Sequence, residues 1–266
     1  MPGDPHSEIT RDWPEHLRAH FPAHYFHHVT ETGSTNDDLL ALAAKGKARP
    51  GEVILTDYQR KGRGRRGDRW EATPERSLLF SVALPLVEKR EQWCRLPHLV
   101  AMIVGSAVES ILPNSGIQAK WPNDIYISGK KLAGILVETI VHPAPYAIVG
   151  IGLNVNTRPY EFPESLSQIA TSLYAELECE SSRWFVLGLI LRGFFETYPD
   201  KLDGFNEVRD WLETRSYLNG KHLSLKTASG NLYGTACGLG SNGELKIETK
   251  TGRIERVISA EEIRIL

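Results

Sequence analysis

The stretch KWPNDIYISGKKLAGILVE, from Lys120 to Glu138, decides how the rest of the chain is read. Apolar residues alternate with others on both sides of Ser128-Gly129. That pattern predicts a β-hairpin turning near Gly129. Its ends carry chemistry rather than core. Lys120 and Trp121 lie on a strand whose alternation sends them to opposite faces. Pro122 stiffens the turn that presents Asn123 and Asp124. Lys131 opens the return strand, and Gly134 lies within it.

Outward from the hairpin, EVILTDYQ (Glu52–Gln59) reads as a buried strand that runs into KGRGRRGDRW (Lys61–Trp70). RSLLFSVALP and YAIVGIGLNVN are further strands. Pro97 opens a helix through HLVAMIVGSAVESIL. ETGSTNDDLLALAAKGK is a turn feeding a helix, with Thr35 as N-cap, Asp38 three residues on and Gly46 near the end. More helices are expected over Ser167–Leu177, Trp184–Leu202 and Val208–Leu212. After about Leu218 the texture changes to short alternating strands, with turns at Ser229-Gly230, Asn242-Gly243 and Thr251-Gly252. The fold class expected is α+β with a small β-barrel appended. The divisions expected are an N-terminal extension over 1–27, a main domain over 28–216 and the barrel over 217–266.

Composition narrows the classes. The chain has 31 Lys and Arg against 33 Asp and Glu, which argues against a protein whose main work is gripping DNA. The mostly apolar run Leu99–Val108 is too short to cross a bilayer, and no apolar signal core stands at the N-terminus. The 3 cysteines are scattered without a CxxC, which reads as free thiols in a reducing cytoplasm. His16, His20 and His24 are spaced like helix-face metal ligands. Pro22 interrupts that helix and no carboxylate or cysteine completes the set, so they read as structural or surface residues.

Against that neutral background, Lys61–Trp70 gathers five basic residues and three glycines. Glycine makes regular structure costly there and lets backbone approach a ligand. Arginine offers a fork matched to carboxylate and phosphate. The plain alternative is a solvated or nucleic-acid-binding basic loop. The other candidates have plain alternatives too. Lys131 is either a lysine aimed into a site or a turn lysine in solvent. Lys120 is a second candidate charge. Asp124 could bind Mg²⁺, orient a lysine or amine, or simply belong to a Pro-Asn-Asp turn. Asn154, near Gly152, either meets the edge of an adenine ring or caps a strand end. Ser34, Thr35 and Asn36 offer hydroxyls and an amide to a neutral polar ring, or only cap a helix.

Together GSTND, QRKGRGRRGDRW, KWPNDIYISGKKLAGILVE and GIGLNVN resemble the biotin protein ligases, in order and in spacing, over nearly all of the chain from Thr30 onward. The resemblance implies a mixed-sheet catalytic domain like that of class II aminoacyl-tRNA synthetases, followed by an SH3-like barrel. It implies a two-step reaction. ATP and biotin give biotinyl-adenylate, and the biotinyl group passes to a lysine of a biotin carboxyl carrier protein, with Mg²⁺ accompanying ATP. It implies biotin contacts at Ser34, Thr35, Asn36, Gln59, Gly62, Arg63, Lys131 and Gly134. It implies nucleotide contacts at Arg65, Arg66, Trp70, Asn123 and Asn154, with Lys131, Arg65, Lys120 and Asp124 carrying the chemistry. Asp68 stands where members usually carry a basic residue. The residue chemistry is consistent: adenylation brings two anions together, and positioned Arg and Lys neutralise them, with backbone N–H groups of Gly62 and Gly64 as further donors. The enzymatic alternative is a lipoate–protein ligase. The alternative from another class is a DNA-binding repressor. About 27 residues before the catalytic domain are too few for a winged helix-turn-helix, so the expectation is the short form, without DNA or membrane binding; a homodimer is left open.

Overall fold

A computed structural model describes residues 26–266. Among these residues the main body is a seven-stranded mixed sheet. In chain order its strands are β1 (Phe26–Thr32), β2 (Val53–Gln59), β3 (Ser77–Pro85), β4 (Gln118–Lys120), β5 (Asp124–Ile127), β6 (Lys130–Ile140) and β7 (Tyr146–Asn154). In space they run β1-β2-β3-β7-β6-β5-β4. β1 pairs with β2 in parallel, and the other neighbours are antiparallel. The hairpin β5–β6 forms where the alternation placed it. β1 was not expected: FHHVTET is too polar to read as a strand, and pairing with β2 supplies its order.

Helix α1 (Thr35–Ala44) covers one face of the sheet and α2 (Leu96–Ile111) the other. Strand alternation divides the side chains between them. Ile54, Ala83 and Ile148 meet Leu39 and Ala43 of α1. Val53, Leu55, Val82 and Val149 join Leu99, Val100 and Val104 of α2. The segment Arg90–Ile111 is apolar and long enough to cross a bilayer by composition, but most of it is buried in the core. Burying a leucine such as Leu39 or Leu99 stabilises by about 1.5–3 kcal/mol.

Among the described residues the remaining α-helices are α3 (Leu173–Leu177), α4 (Arg183–Thr197), α5 (Asp200–Asp203) and α6 (Phe205–Thr214). Two expectations need correction here. The helix read over Ser167–Leu177 is only α3, capped by Ser172, because turns through Pro163–Ala170 occupy its first half. The helix read over Trp184–Leu202 stops at Thr197, since Pro199 lacks the N–H and crowds the preceding turn. A third concerns the cap of α1. It is Ser34, extended at φ −161°, whose hydroxyl accepts from Asp37 N–H. Thr35 turns inward instead.

The C-terminal strands are β8 (His222–Thr227), β9 (Gly230–Leu239), β10 (Leu245–Glu248), β11 (Ile254–Val257) and β12 (Glu262–Ile265), in the order β11-β10-β9-β8-β12. The three expected turns join them. This unit shares a continuous apolar core with the main body. The Asn242-Gly243 turn is the latch. Arg95 Nε donates to Asn242 Oδ1 at 3.0 Å, and Trp121 Nε1 donates to Gly243 O at 2.9 Å. Gly243 has φ +86° and abuts the His98 ring, where a Cβ would come within 2.2 Å of Cδ2 and Nε2. His16, His20, His24 and nearly all of the 1–27 extension lie outside the described residues.

Candidate functional site

Past the first turn of α1, the sheet face that this helix covers changes character. Ala83 and Ile148 give way to Ser81, Gly150, Gly152 and Gly134, paired Ser81–Gly150 and Gly134–Gly152 across the strands. These glycines form a floor without side chains. A Cβ on Gly150 would lie 2.3 Å from Asn36 Oδ1, and one on Gly152 would lie 2.5 Å from the Trp70 ring. Above the floor is a cavity of about 240 Å³, walled by the start of α1, the loop after β2 and the β4–β6 segment.

One end of the cavity is neutral and polar. Thr35 donates its backbone N–H to Gln59 Oε1 at 2.9 Å, and its Oγ1 lies 3.1 Å from the same oxygen. With Ser81 donating its hydroxyl to Asn36 Oδ1 at 2.6 Å, the 2.6 Å contact between the two hydroxyls takes its proton from Thr35, and the backbone N–H is the donor left for Gln59. Asn36 Nδ2 donates to Glu138 Oε2 at 2.8 Å. Ser34, Thr35 and Asn36 are all buried. Such a set of paired donors and acceptors suits a neutral ring bearing both N–H and C=O.

The other end is cationic. Lys131 Nζ lies 2.8 Å from Asp124 Oδ1 and 5.6 Å from the Trp70 ring centroid. Asp124 is thus paired with a lysine. Lys120 Nζ donates to Tyr126 Oη at 3.1 Å. Burial pushes the Tyr126 hydroxyl up to about 12, so it stays protonated and accepts from Lys120 as a neutral group. Arg65 borders the cavity from a short 3₁₀ turn, Arg65–Gly67. The Arg66 side chain is outside the described part.

The loop Lys61–Trp70 is a small hairpin. Trp70 N–H donates to Gly62 O at 3.0 Å and Gly64 N–H to Asp68 O at 2.7 Å. The Gly64 N–H is thus used inside the loop, against the expectation that it faces a ligand. Arg63 does not point at a free anion. Its Nη1 and Nη2 fork onto Glu138 at 3.1 and 2.9 Å, and Nη2 also reaches Asp37 at 2.5 Å. Its hydrogen bonds to Glu138, and then the charges of Glu138 and Asp37, push the guanidinium above its already high ordinary value.

Trp70 lies on the Gly134–Gly152 pair and separates the cavity from a second of about 260 Å³. Gln59 and Arg69 border both. Asn154 borders only the second, and its amide is engaged by the fold: Nδ2 donates to Thr171 O at 3.0 Å and Oδ1 accepts from Ser77 at 3.4 Å. Asn123 is likewise tied down, its Nδ2 on Ile135 O at 2.5 Å, which fastens the turn after Pro122 to β6. Both residues border a cavity with an amide already committed.

Among the described residues no three His, Cys, Asp or Glu side chains gather as a metal cage. A lone Asp124 with one oxygen on Lys131 suits a cation carried in by phosphates rather than one caged by protein. Glu138, Ser81, Asp37 and Tyr126 were not picked out from the sequence. Glu138 had a signal: residues 134, 136 and 138 of one strand share the face that carries Gly134.

Residues 29–156 match the model of the Biotin/lipoate A/B protein ligase family. The chain is 34% identical over 224 residues to the bifunctional ligase/repressor BirA of Bacillus subtilis, an alignment spanning 82% of this chain and 67% of that one. It is 37% identical over 172 residues to a biotin–[acetyl-CoA-carboxylase] ligase of Mycobacterium tuberculosis, spanning 59% and 64%. Among solved structures, the biotin protein ligase of Aquifex aeolicus in complex with biotin and ATP superimposes with a TM-score of 0.78 at 31% identity, covering 91% of this chain and 99% of that one.

Proposed function

The chain belongs to the biotin protein ligases, and from that premise we propose how its cavity divides the work. The enzyme activates biotin with ATP and transfers the biotinyl group to a biotin-carrier acceptor. The observation that carries the assignment is one glycine-floored cavity with a neutral polar end and a cationic end.

The ureido ring of biotin occupies the end lined by Ser34, Thr35, Asn36 and Gln59, with Ser81 behind Thr35 and Asn36. Its valeryl chain runs over Gly134 toward Lys131. There the carboxylate oxygen attacks the α-phosphorus of ATP; the new O–P bond forms as the α–β bridge breaks and pyrophosphate leaves. Arg65 and Lys131 neutralise the two anions as they meet. Lys120 adds positive charge where pyrophosphate departs. Adenine lies in the second cavity, beyond Trp70 and near Asn154. Mg²⁺ bound to the phosphates would be met by Asp124 and would neutralise phosphate charge. In the second step the acceptor lysine's amine attacks the biotinyl carbonyl, Lys131 stabilises the developing oxyanion, and AMP leaves. Asp124 keeps Lys131 aimed throughout, one hydrogen bond away.

The finer architecture follows the same reading: a class II synthetase-like catalytic unit over 28–216 and an SH3-like unit over 217–266. The unpaired thiols of Cys94, Cys179 and Cys237 support a reducing, cytoplasmic setting. The test of function is pyrophosphate release from ATP without acceptor, with biotin and with lipoate in parallel. Biotin alone should support it; release only with lipoate would overturn the assignment.

A further inference from the structure

Glu138 has no part in the reaction as just described, yet both sides of the site converge on it. From the loop, Arg63 forks onto its two oxygens at 3.1 and 2.9 Å. From the floor, Asn36 Nδ2 donates at 2.8 Å to the same Oε2 that Arg63 Nη2 reaches. Asn36 in turn accepts from Ser81, Ser81 accepts from the Thr35 hydroxyl, and the Thr35 backbone N–H donates to Gln59. An unbroken line of hydrogen bonds therefore joins the polar end of the cavity to the arginine of the loop. Gly150 makes this line possible, because any side chain there would displace Asn36.

We propose that Glu138 is the positioning residue that holds the Arg/Gly loop over the ring end of the cavity and couples occupancy of that end, through Asn36, to the loop. The proposal rests on the assignment of that end to biotin. A loop with glycines at 62, 64 and 67 has many conformations to lose. A bidentate, charge-assisted contact fixes both the place and the plane of a guanidinium. The Arg63 and Glu138 side chains are 36% and 27% exposed, so the pair contributes orientation more than fold stability. Asp37 holds the same guanidinium from α1 and limits the loss when Glu138 is changed.

Glu138→Gln strikes both directions at once. A single amide oxygen cannot serve Asn36 and both guanidinium nitrogens, and the new NH₂ faces donors. The experiment measures biotin affinity by calorimetry and retention of biotinyl-adenylate after gel filtration. It compares the full chain with Glu138→Gln, Arg63→Met and the double variant. Glu138→Gln should bind biotin at least tenfold more weakly and lose adenylate at least tenfold faster, with a melting temperature close to that of the parent. The double variant should be no worse than Arg63→Met, because both changes release one clamp. Parent-like affinity and retention in Glu138→Gln would overturn the proposal, as would losses that multiply in the double variant. If Glu138→Gln does not fold, Glu138→Asp serves: it keeps the charge, falls a methylene short of the fork, and should also leak. A parent that forms no biotinyl-adenylate would refute the functional reading itself; a competent parent with unaffected variants would refute only the role of Glu138.

Discussion

The Lys61–Trp70 loop and the Lys120–Glu138 hairpin bring positive charge to one cavity by different means. The hairpin's lysines stand on paired strands and are aimed by fixed neighbours, Asp124 for Lys131 and Tyr126 for Lys120. The loop's arginines stand on a glycine-rich turn tied at its root to Thr32 and Gly33, and across the cavity to Glu138. On the proposed mechanism the hairpin holds the groups that meet developing charge, which needs rigidity. On the same proposal the loop admits and then encloses the ligands, which needs a contact that can open. The same charge is thus anchored in paired strands on one side and in a glycine-rich turn on the other, and the proposed mechanism gives chemistry to the first and closure to the second.

That contrast breaks most visibly at Lys131. Lys131→Ala should lower single-turnover adenylation roughly a hundred- to a thousandfold, as loss of one transition-state donor does. Because the side chain is partly exposed, the melting temperature should barely move. A large thermal shift with normal chemistry would make Lys131 structural.

A smaller effect is expected on the floor both regions share. Gly150→Ala would place a methyl 2.3 Å from Asn36 Oδ1. It should weaken biotin binding about tenfold or more, the cost of unpairing a buried polar group being about 1–3 kcal/mol. Unchanged biotin affinity by calorimetry would show that Asn36 does not read the ring.

Trp70 sharpens the loop's half of the comparison. Trp70→Ala should raise the KM for ATP about tenfold, in line with the roughly 1–3 kcal/mol of a base stacked on an aromatic ring. Biotin binding should change much less. Equal losses for both substrates would mean that Trp70 shapes the whole cavity rather than the nucleotide side.

The effect at the latch to the C-terminal unit concerns stability rather than catalysis. Burial lowers His98 from its ordinary 6.5 to about 4. A folded-state value below the unfolded one gives stability that is present above pH 6.5 and is lost as the pH falls toward 4. By pH 5 the loss attributable to His98 is about 2 kcal/mol. His98→Gln should flatten that part of the stability–pH profile measured by urea unfolding. An unchanged slope would place the acid sensitivity elsewhere.

Much of this was legible in the chain. Period-2 alternation gave the hairpin and the C-terminal strands, and glycine-bearing turns gave their ends. Four motifs gave the residues around the cavity. Other features were hidden for physical reasons. β1 is a polar strand whose order comes from parallel pairing with β2, a non-local effect. Ser34 and Thr35 are adjacent and both can cap, and only the sheet beneath shows which hydroxyl turns inward. Arg63 reads as a cation awaiting an anion, because its partner Glu138 is distant in sequence. Asn123 and Asn154 read as ligand contacts, because carbonyls that engage an amide leave no sequence mark.

The most direct measurement of the central claim is mass analysis of a single turnover. The intact protein is mixed with ATP and biotin, without acceptor, and the small-molecule fraction is examined for biotinyl-adenylate and pyrophosphate, with lipoate as the parallel arm. The account predicts one equivalent of biotinyl-adenylate held on the protein and none of the lipoyl product. A lipoyl-adenylate in its place, or biotin returned unchanged with ATP intact, would contradict it.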